Sequence, residues 1–239
     1  MNMPRKVFDQ ELERLGVELA EMGRQVDALM AGTIRCLKGM DLSAAHVLFP
    51  RDAEINAREK GIEQKCASLI ALQQPLARDL RVIMATLKII TDMERIADQC
   101  ADICEIVSTV EGLTEMEAPP RILRMFEKAR EMFRGALDAF LRRDETAARS
   151  VCGQDDEVDG MFSAAVAELC RQIRQSPAEV PQNVDFLFVA KYVERMADHA
   201  TNVSEWAIYI VTGRHPNLND TMEEESVLDN GTQTGYNAR

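Results

Sequence analysis

Asp92-Met-Glu-Arg-Ile-Ala-Asp-Gln99 and Tyr192-Val-Glu-Arg-Met-Ala-Asp-His199 are two versions of one phrase. Each holds a Glu and an Asp four residues apart, Glu94 with Asp98 and Glu194 with Asp198. On a helix that spacing stacks two carboxylates on one face, which is unfavourable unless something positive sits between them. The likeness extends outward from the phrase. At an offset of 100, Glu94 meets Glu194 and Asp98 meets Asp198. At an offset of 103, Met22 meets Met125, Ile34 meets Leu137, Asp41 meets Asp144, Asp52 meets Asp155 and Ile55 meets Val158. The small change of offset is a shorter loop in the second half. The chain is therefore a tandem repeat of one unit of about 100 residues.

Each unit reads as three long helices. Apolar residues recur at three and four, as in Leu15, Leu19, Met22, Val26, Leu29, Met30 and Leu37 of a first helix starting at Leu12. Asp41-Leu-Ser opens a second helix that runs to about Ala71, and Pro75 helps start a third that ends near Glu111. Pro119-Pro120 begins a fourth and Asp144 caps a fifth. The Ser176-Pro177 to Pro181 break precedes a sixth, which Gly213 stops. The expected fold is all-α, two tandem three-helix bundles over 8–112 and 119–213, followed by a disordered tail over 214–239.

The bulk composition narrows the function. With 28 basic and 40 acidic residues the net charge is −12, which disfavours a general nucleic-acid binder. No stretch is apolar enough for an integral membrane segment, and the N-terminal residues lack the apolar core of a signal peptide. The six cysteines fall inside helical patterns and show no CxxC. They read as reduced, packed thiols of a cytoplasmic protein rather than a zinc or disulfide framework.

The carboxylates carry the chemistry. At about 100° per residue, Leu80, Ile83, Leu87, Ile90, Ala97 and Ala101 fall on the face of Glu94, which places Glu94 and Asp98 on a packing seam with Asp102 at its edge. Arg81, Lys88, Asp92, Arg95 and Gln99 form a separate stripe that reads as water-facing. On the fifth helix Asp155 and Asp159 share a face with Val158 and Phe162, and on the second Asp52, Asn56 and Glu59 share one with Leu48 and Cys66. Carboxylates on a seam must be protonated, paired with bases or bound to a cation. The candidate metal ligands are thus Glu94, Asp98, Asp102 and Asp52 in the first half and Glu194, Asp198, Asp155 and Asp159 in the second. All are hard oxygen donors, which suits magnesium, manganese, calcium or ferric iron, with zinc possible. Asn202 stands where the first half has Asp102, so the two sites need not be equivalent. His199 has Gln99 at its repeat position, which argues against a duplicated metal role.

Gln74-Pro75-Leu-Ala77-Arg-Asp79-Leu80-Arg81, Glu94-Arg95-Ile-Ala97-Asp98, Glu194-Arg195-Met-Ala197-Asp198, Asn202-Val-Ser-Glu205 and Tyr209-Ile-Val-Thr-Gly213 resemble the PhoU family of bacterial phosphate-transport accessory and regulatory proteins. The resemblance covers about residues 8–213. It implies two three-helix bundles with metal clusters on repeated Glu/Asp-xxx-Asp motifs, the metal being iron, zinc, manganese or magnesium. It implies no catalysis. It further implies repression of the phosphate-starvation response through contact with the phosphate ABC transporter ATPase subunit and the phosphate-sensing histidine kinase, with a homodimer possible. Asn56 departs from the acidic motif, and Ala97 and Ala197 replace the family's usual Gly.

Three readings compete: a metal-bearing regulatory adaptor, which in one variant serves a low-affinity phosphate transporter, a ferritin-like di-iron enzyme, and a direct phosphate binder. The second needs Glu-x-x-His, which the chain lacks. The third needs a basic or Gly-rich cradle, which an acidic chain without a P-loop does not offer. The adaptor reading leads.

Overall fold

Rows of buried apolar residues at helical spacing pack the long helices against one another. In the computed structural model, which describes residues 3–110 and 112–216, α1 (Met3–Gly39) buries Leu15, Leu19, Met22, Val26, Met30 and Leu37 at helical spacing. The corresponding stripe on α5 (Pro120–Arg142) is Ile122, Met125, Phe126, Ala129, Met132, Phe133, Ala136 and Phe140. Each such large side chain contributes roughly 1.5–3 kcal/mol by leaving water. Between and after them run α2 (Leu42–Leu48), α3 (Asp52–Gln73), α4 (Ala77–Thr109), α6 (Glu145–Cys152), α7 (Asp155–Gln175) and α8 (Val180–Thr212). Helices α1, α3 and α4 form one bundle and α5, α7 and α8 the other.

The expected six helices are present with two revisions. The second and fifth are interrupted, each after a short first piece that the expected Asp cap begins. Asp41 and Asp144 accept the N–H of Ala44 and Ala147, both at 3.0 Å. In the first half a 3-10 turn, Phe49–Arg51, then breaks the helix at Pro50, which has no N–H to donate. In the second half Gly153 and Gln154 break it. Asp52 and Asp155 consequently begin new helices, where a carboxylate is favoured by the dipole. The first helix also starts earlier than expected, at Met3.

The two bundles share one hydrophobic core, through α1 against α5 and α4 against α8. Gly23 gives the Leu137 side chain room against α1, since a Cβ there would stand 2.1 Å from Leu137 Cδ2 and force that side chain to shift. Beside it Arg130 makes a two-pronged pair with Asp27, Nε to Oδ1 at 2.7 Å and Nη2 to Oδ2 at 3.1 Å. Asp27 and Arg130 are repeat equivalents at the offset of 103, so an approximate two-fold axis relating the halves passes close to this pair.

Because α4 packs on both α1 and α8, it is buried on nearly every side. This corrects the expectation of a water-facing stripe: Asp92 is only 9% exposed and Gln99 only 3%. Asp92 meets His199 and Asn202 of α8, whereas Lys88 and Arg95 do reach water.

Gly213 ends α8 as expected, with φ +76° and its N–H donated to Tyr209 O at 2.8 Å. Gly213→Ala is expected to lower stability by about 1–2 kcal/mol in urea unfolding, because an L residue strains at this φ. An unchanged midpoint would show that the end of α8 frays at no cost. The chain then turns back, and His215 is buried with its ring 4.4 Å from that of Trp206. The tail expected from residue 214 is therefore packed at His215, and from residue 217 onward it lies outside the described residues. No helix among the described residues is long and apolar enough to cross a membrane.

Candidate metal centres

The start of α3 and the middle of α4 bring Asp52, Asn56, Glu59, Glu94 and Asp98 to one side of the first bundle, all half-buried. Burial, the Asp98 charge and the Glu59 charge push the Glu94 carboxyl above its ordinary range. Burial and Asp52 do the same to Asp98. Glu59 is also raised, mainly by burial, against a hydrogen bond from Thr91 Oγ1 to its Oε1 at 3.1 Å that favours the charged form. Asn56 Oδ1 is buried and has no hydrogen-bond partner.

The second bundle assembles Asp155, Asp159, Glu194 and Asp198 from α7 and α8. Asp155 and Glu194 are half-buried, while Asp159 and Asp198 reach solvent. Burial raises Asp155, opposed by Thr201, whose Oγ1 donates to Asp155 Oδ1 at 3.1 Å. Although Asp198 touches water, the protein around it and the charges of Glu194 and Asp155 push its carboxyl up.

Repeat-equivalent positions separate the two sites. Where the first bundle has Thr91 bonded to Glu59, the second has Lys191 and Phe162. The Lys191 ammonium pairs with Glu194 and sits over the Phe162 ring, 5.5 Å from its centre. Among the described residues the first site therefore gathers four carboxylates (Asp52, Glu59, Glu94, Asp98) with no lysine ion-paired to them, and the second gathers four with an ammonium among them. Lys191 was not foreseen, because a lysine at this register looks like an ordinary surface residue until its partner is known.

Asp102 stands apart from the other proposed ligands. It feels the Asp98 charge, but it faces Tyr192 across the α4–α8 contact, which works against the rise that burial gives its carboxyl. The mirror-related contact is made by Asp92, which lies 2.9 Å from His199 Nδ1 and 3.3 Å from Asn202 Nδ2. Positions 92 and 192 thus each reach position 102 of the other half, as a two-fold contact requires. His199, which the sequence set aside as a ligand, belongs to this seam between the bundles.

The donor chemistry of the first cluster fits a hard cation: four carboxylates, an orphaned amide oxygen and a shared excess of negative charge. Its spacing is open, since among the described residues no three carboxylate, imidazole or thiol groups converge in a metal-holding arrangement. Asp52, Glu59, Glu94 and Asp98 are the residues that would hold an ion there, with Asn56 beside them.

Known proteins share this architecture. The PhoU domain profile matches residues 19–107 and 122–207, one copy for each bundle. A relative from Clostridium acetobutylicum, called a phosphate-specific transport system accessory protein PhoU homolog, is 37% identical over 91% of this chain and 100% of its own. A Burkholderia homolog of the same description is 34% identical over 86% of this chain and 89% of its own. The crystal structure of PhoU from Pseudomonas aeruginosa superposes with a TM-score of 0.81 at 30% identity, covering 87% of this chain and 100% of that one. The phosphate transport system regulatory protein PhoU from Streptococcus pneumoniae gives the same TM-score at 26% identity, over 87% of this chain and 98% of that one. With both bundles matched by the family profile and their packing shared with solved members, the chain belongs to the PhoU family.

Proposed function

We propose that this protein is a non-enzymatic regulatory accessory protein of phosphate transport whose surface is shaped by metal held on the bundle carboxylates. The observation that carries the metal reading is the first cluster, where Glu94, Asp98 and Glu59 crowd one another on a half-buried face with their carboxyls raised. A bound cation would supply charge neutralisation there, replacing protonation as the relief of repulsion. The chain's own residues do the rest. α3 and α4 present the donors from two helices, so occupancy ties the helices together. The exposed Arg95 and Arg195 next to each Glu lie where a partner could read that face.

The partners proposed are the ATPase subunit of the phosphate ABC transporter and the phosphate-sensing histidine kinase, met in the cytoplasm. Relatives named as accessory proteins of the phosphate-specific transport system support this. The decisive experiment is deletion of the gene followed by measurement of phosphate-starvation promoters in high phosphate. Loss of repression is expected, and re-expression of the intact chain should restore it. Promoters that remain silent in the deletion strain would overturn the regulatory reading.

A further inference from the structure

The three histidines of the chain differ in their surroundings. His46 is exposed and His199 faces Asp92, whereas His215, in the turn that follows α8, is 8% exposed. That turn is fixed at two points. Gly213 takes its left-handed conformation where a Cβ would collide with Arg81 Nη1, and Thr212 Oγ1 accepts the Arg214 N–H at 3.1 Å. The chain thereby folds back over the last turns of α8, whose Trp206 and Tyr209 rings stand edge to face with centres 5.5 Å apart. The imidazole centre lies 4.4 Å from the Trp206 ring and 6.3 Å from the Tyr209 ring. Neither of its nitrogens has a hydrogen-bond partner.

Buried polar groups are nearly always partnered, and two orphaned ring nitrogens lower stability. A phenylalanine would fill the same aromatic seat without that cost, so packing does not account for a histidine here. What sets imidazole apart is that it changes charge near neutral pH. The neutral ring leaves its nitrogens dehydrated but takes no charge out of water. The imidazolium would bring a full charge and two N–H donors into a seat that offers no acceptor. The aromatic faces attract a cation, but by less than the solvation it gives up. The charged groups nearby give no help. Arg81, packed from α4 against Gly213, and the adjacent Arg214 are themselves cations, and Glu205 of α8 acts on Cys152 of α6. Burial, with no opposing charge, accordingly holds the His215 ring below the usual imidazole range.

We infer that His215 is an acid-released latch: as a neutral ring it holds the turn after α8 against Trp206 and Tyr209, and on taking up a proton it leaves that seat and uncovers the aromatic pair. The latch contributes its full stability above the ordinary imidazole value of 6.5 and loses it as the pH falls through the lowered one. Each tenfold loss of proton affinity in the seat favours the open turn about tenfold once the ring is charged. Gly213 is the hinge, and the helices on either side of the seat need not unfold.

Trp206 is the only tryptophan of the chain, so its emission reads the seat directly. The full chain, stripped of metal with EDTA, is titrated from about pH 8 to about pH 5, across the imidazole range. Trp206 emission, its quenching by acrylamide and far-ultraviolet circular dichroism are followed together. On acidification the emission should move reversibly to longer wavelength and acrylamide quenching should rise, with helix content unchanged. His215→Phe keeps the seat filled and uncharged, so both changes should vanish, and His215→Ala should show the acid-form emission even at the alkaline end. A seated imidazolium would instead dim Trp206 without shifting its maximum or opening it to acrylamide, and that outcome would overturn the proposal. So would a transition that persists in His215→Phe, which would belong to His199 or the carboxylates, or one accompanied by loss of helix.

Discussion

Asp92→Ala is expected to lower the stability of the whole molecule by about 2–3 kcal/mol, because it strips two donors of their acceptor inside the seam between the bundles. Asp92 is 9% exposed and lies 2.9 Å from His199 Nδ1 and 3.3 Å from Asn202 Nδ2. Both of those groups come from α8, so the loss falls on the contact that joins the halves. For a chain of this size the midpoint of thermal unfolding should drop by roughly 4–12 °C, at about 2–4 °C per kcal/mol. Asp92→Asn keeps an oxygen in place and should cost less. Adding His199→Leu to Asp92→Leu should recover part of the loss, since replacing both partners leaves nothing buried and unpaired. Urea unfolding of the set measures this. If Asp92→Ala unfolds with the parent, the seam is wetter than its burial indicates. A biphasic transition in Asp92→Ala alone would show that the seam makes the two bundles a single cooperative unit.

Removal of Lys191 separates the two carboxylate clusters. In metal-stripped protein titrated with manganese, iron or zinc, the first cluster should bind more tightly. Among the described residues no ammonium pairs with its carboxylates, whereas Lys191 already satisfies Glu194. Lys191→Thr, which copies Thr91 of the first half, should tighten the second class of site by about tenfold, or ~1.4 kcal/mol, a modest share of a charge–charge term at short range. Thr91→Lys should weaken the first class by a similar factor. Glu94→Gln with Asp98→Asn should abolish the first class. Calorimetry reads the affinities, and plasma mass spectrometry of the purified protein reads occupancy. Equal metal content in the parent and in Glu94→Gln/Asp98→Asn would remove the first cluster from the assignment.

Much of this was legible before any coordinates. The two phrases, the matched Asp caps at Asp41 and Asp144, and the Leu15–Leu37 stripe have local causes, namely capping and helical periodicity. The breaks at Pro50 and Gly153 were smoothed over because the apolar period continues across them. The supposed wet stripe on α4 failed for a different reason. Asp92 and Gln99 are polar, and a helix-wheel argument assigns polar residues to solvent unless a second helix is known to cover them.

Sequence alone determined the repeat, the helices and the stacking of Glu94 on Asp98 and of Glu194 on Asp198, because each follows from spacing within a few turns of one helix. Only the tertiary structure decided which carboxylates face one another, that Asp102 turns toward Tyr192, and that Lys191 joins one cluster and Thr91 the other. Those contacts link residues from different helices, and their energies depend on distance and burial. Neither quantity exists until α1, α3, α4, α7 and α8 have packed.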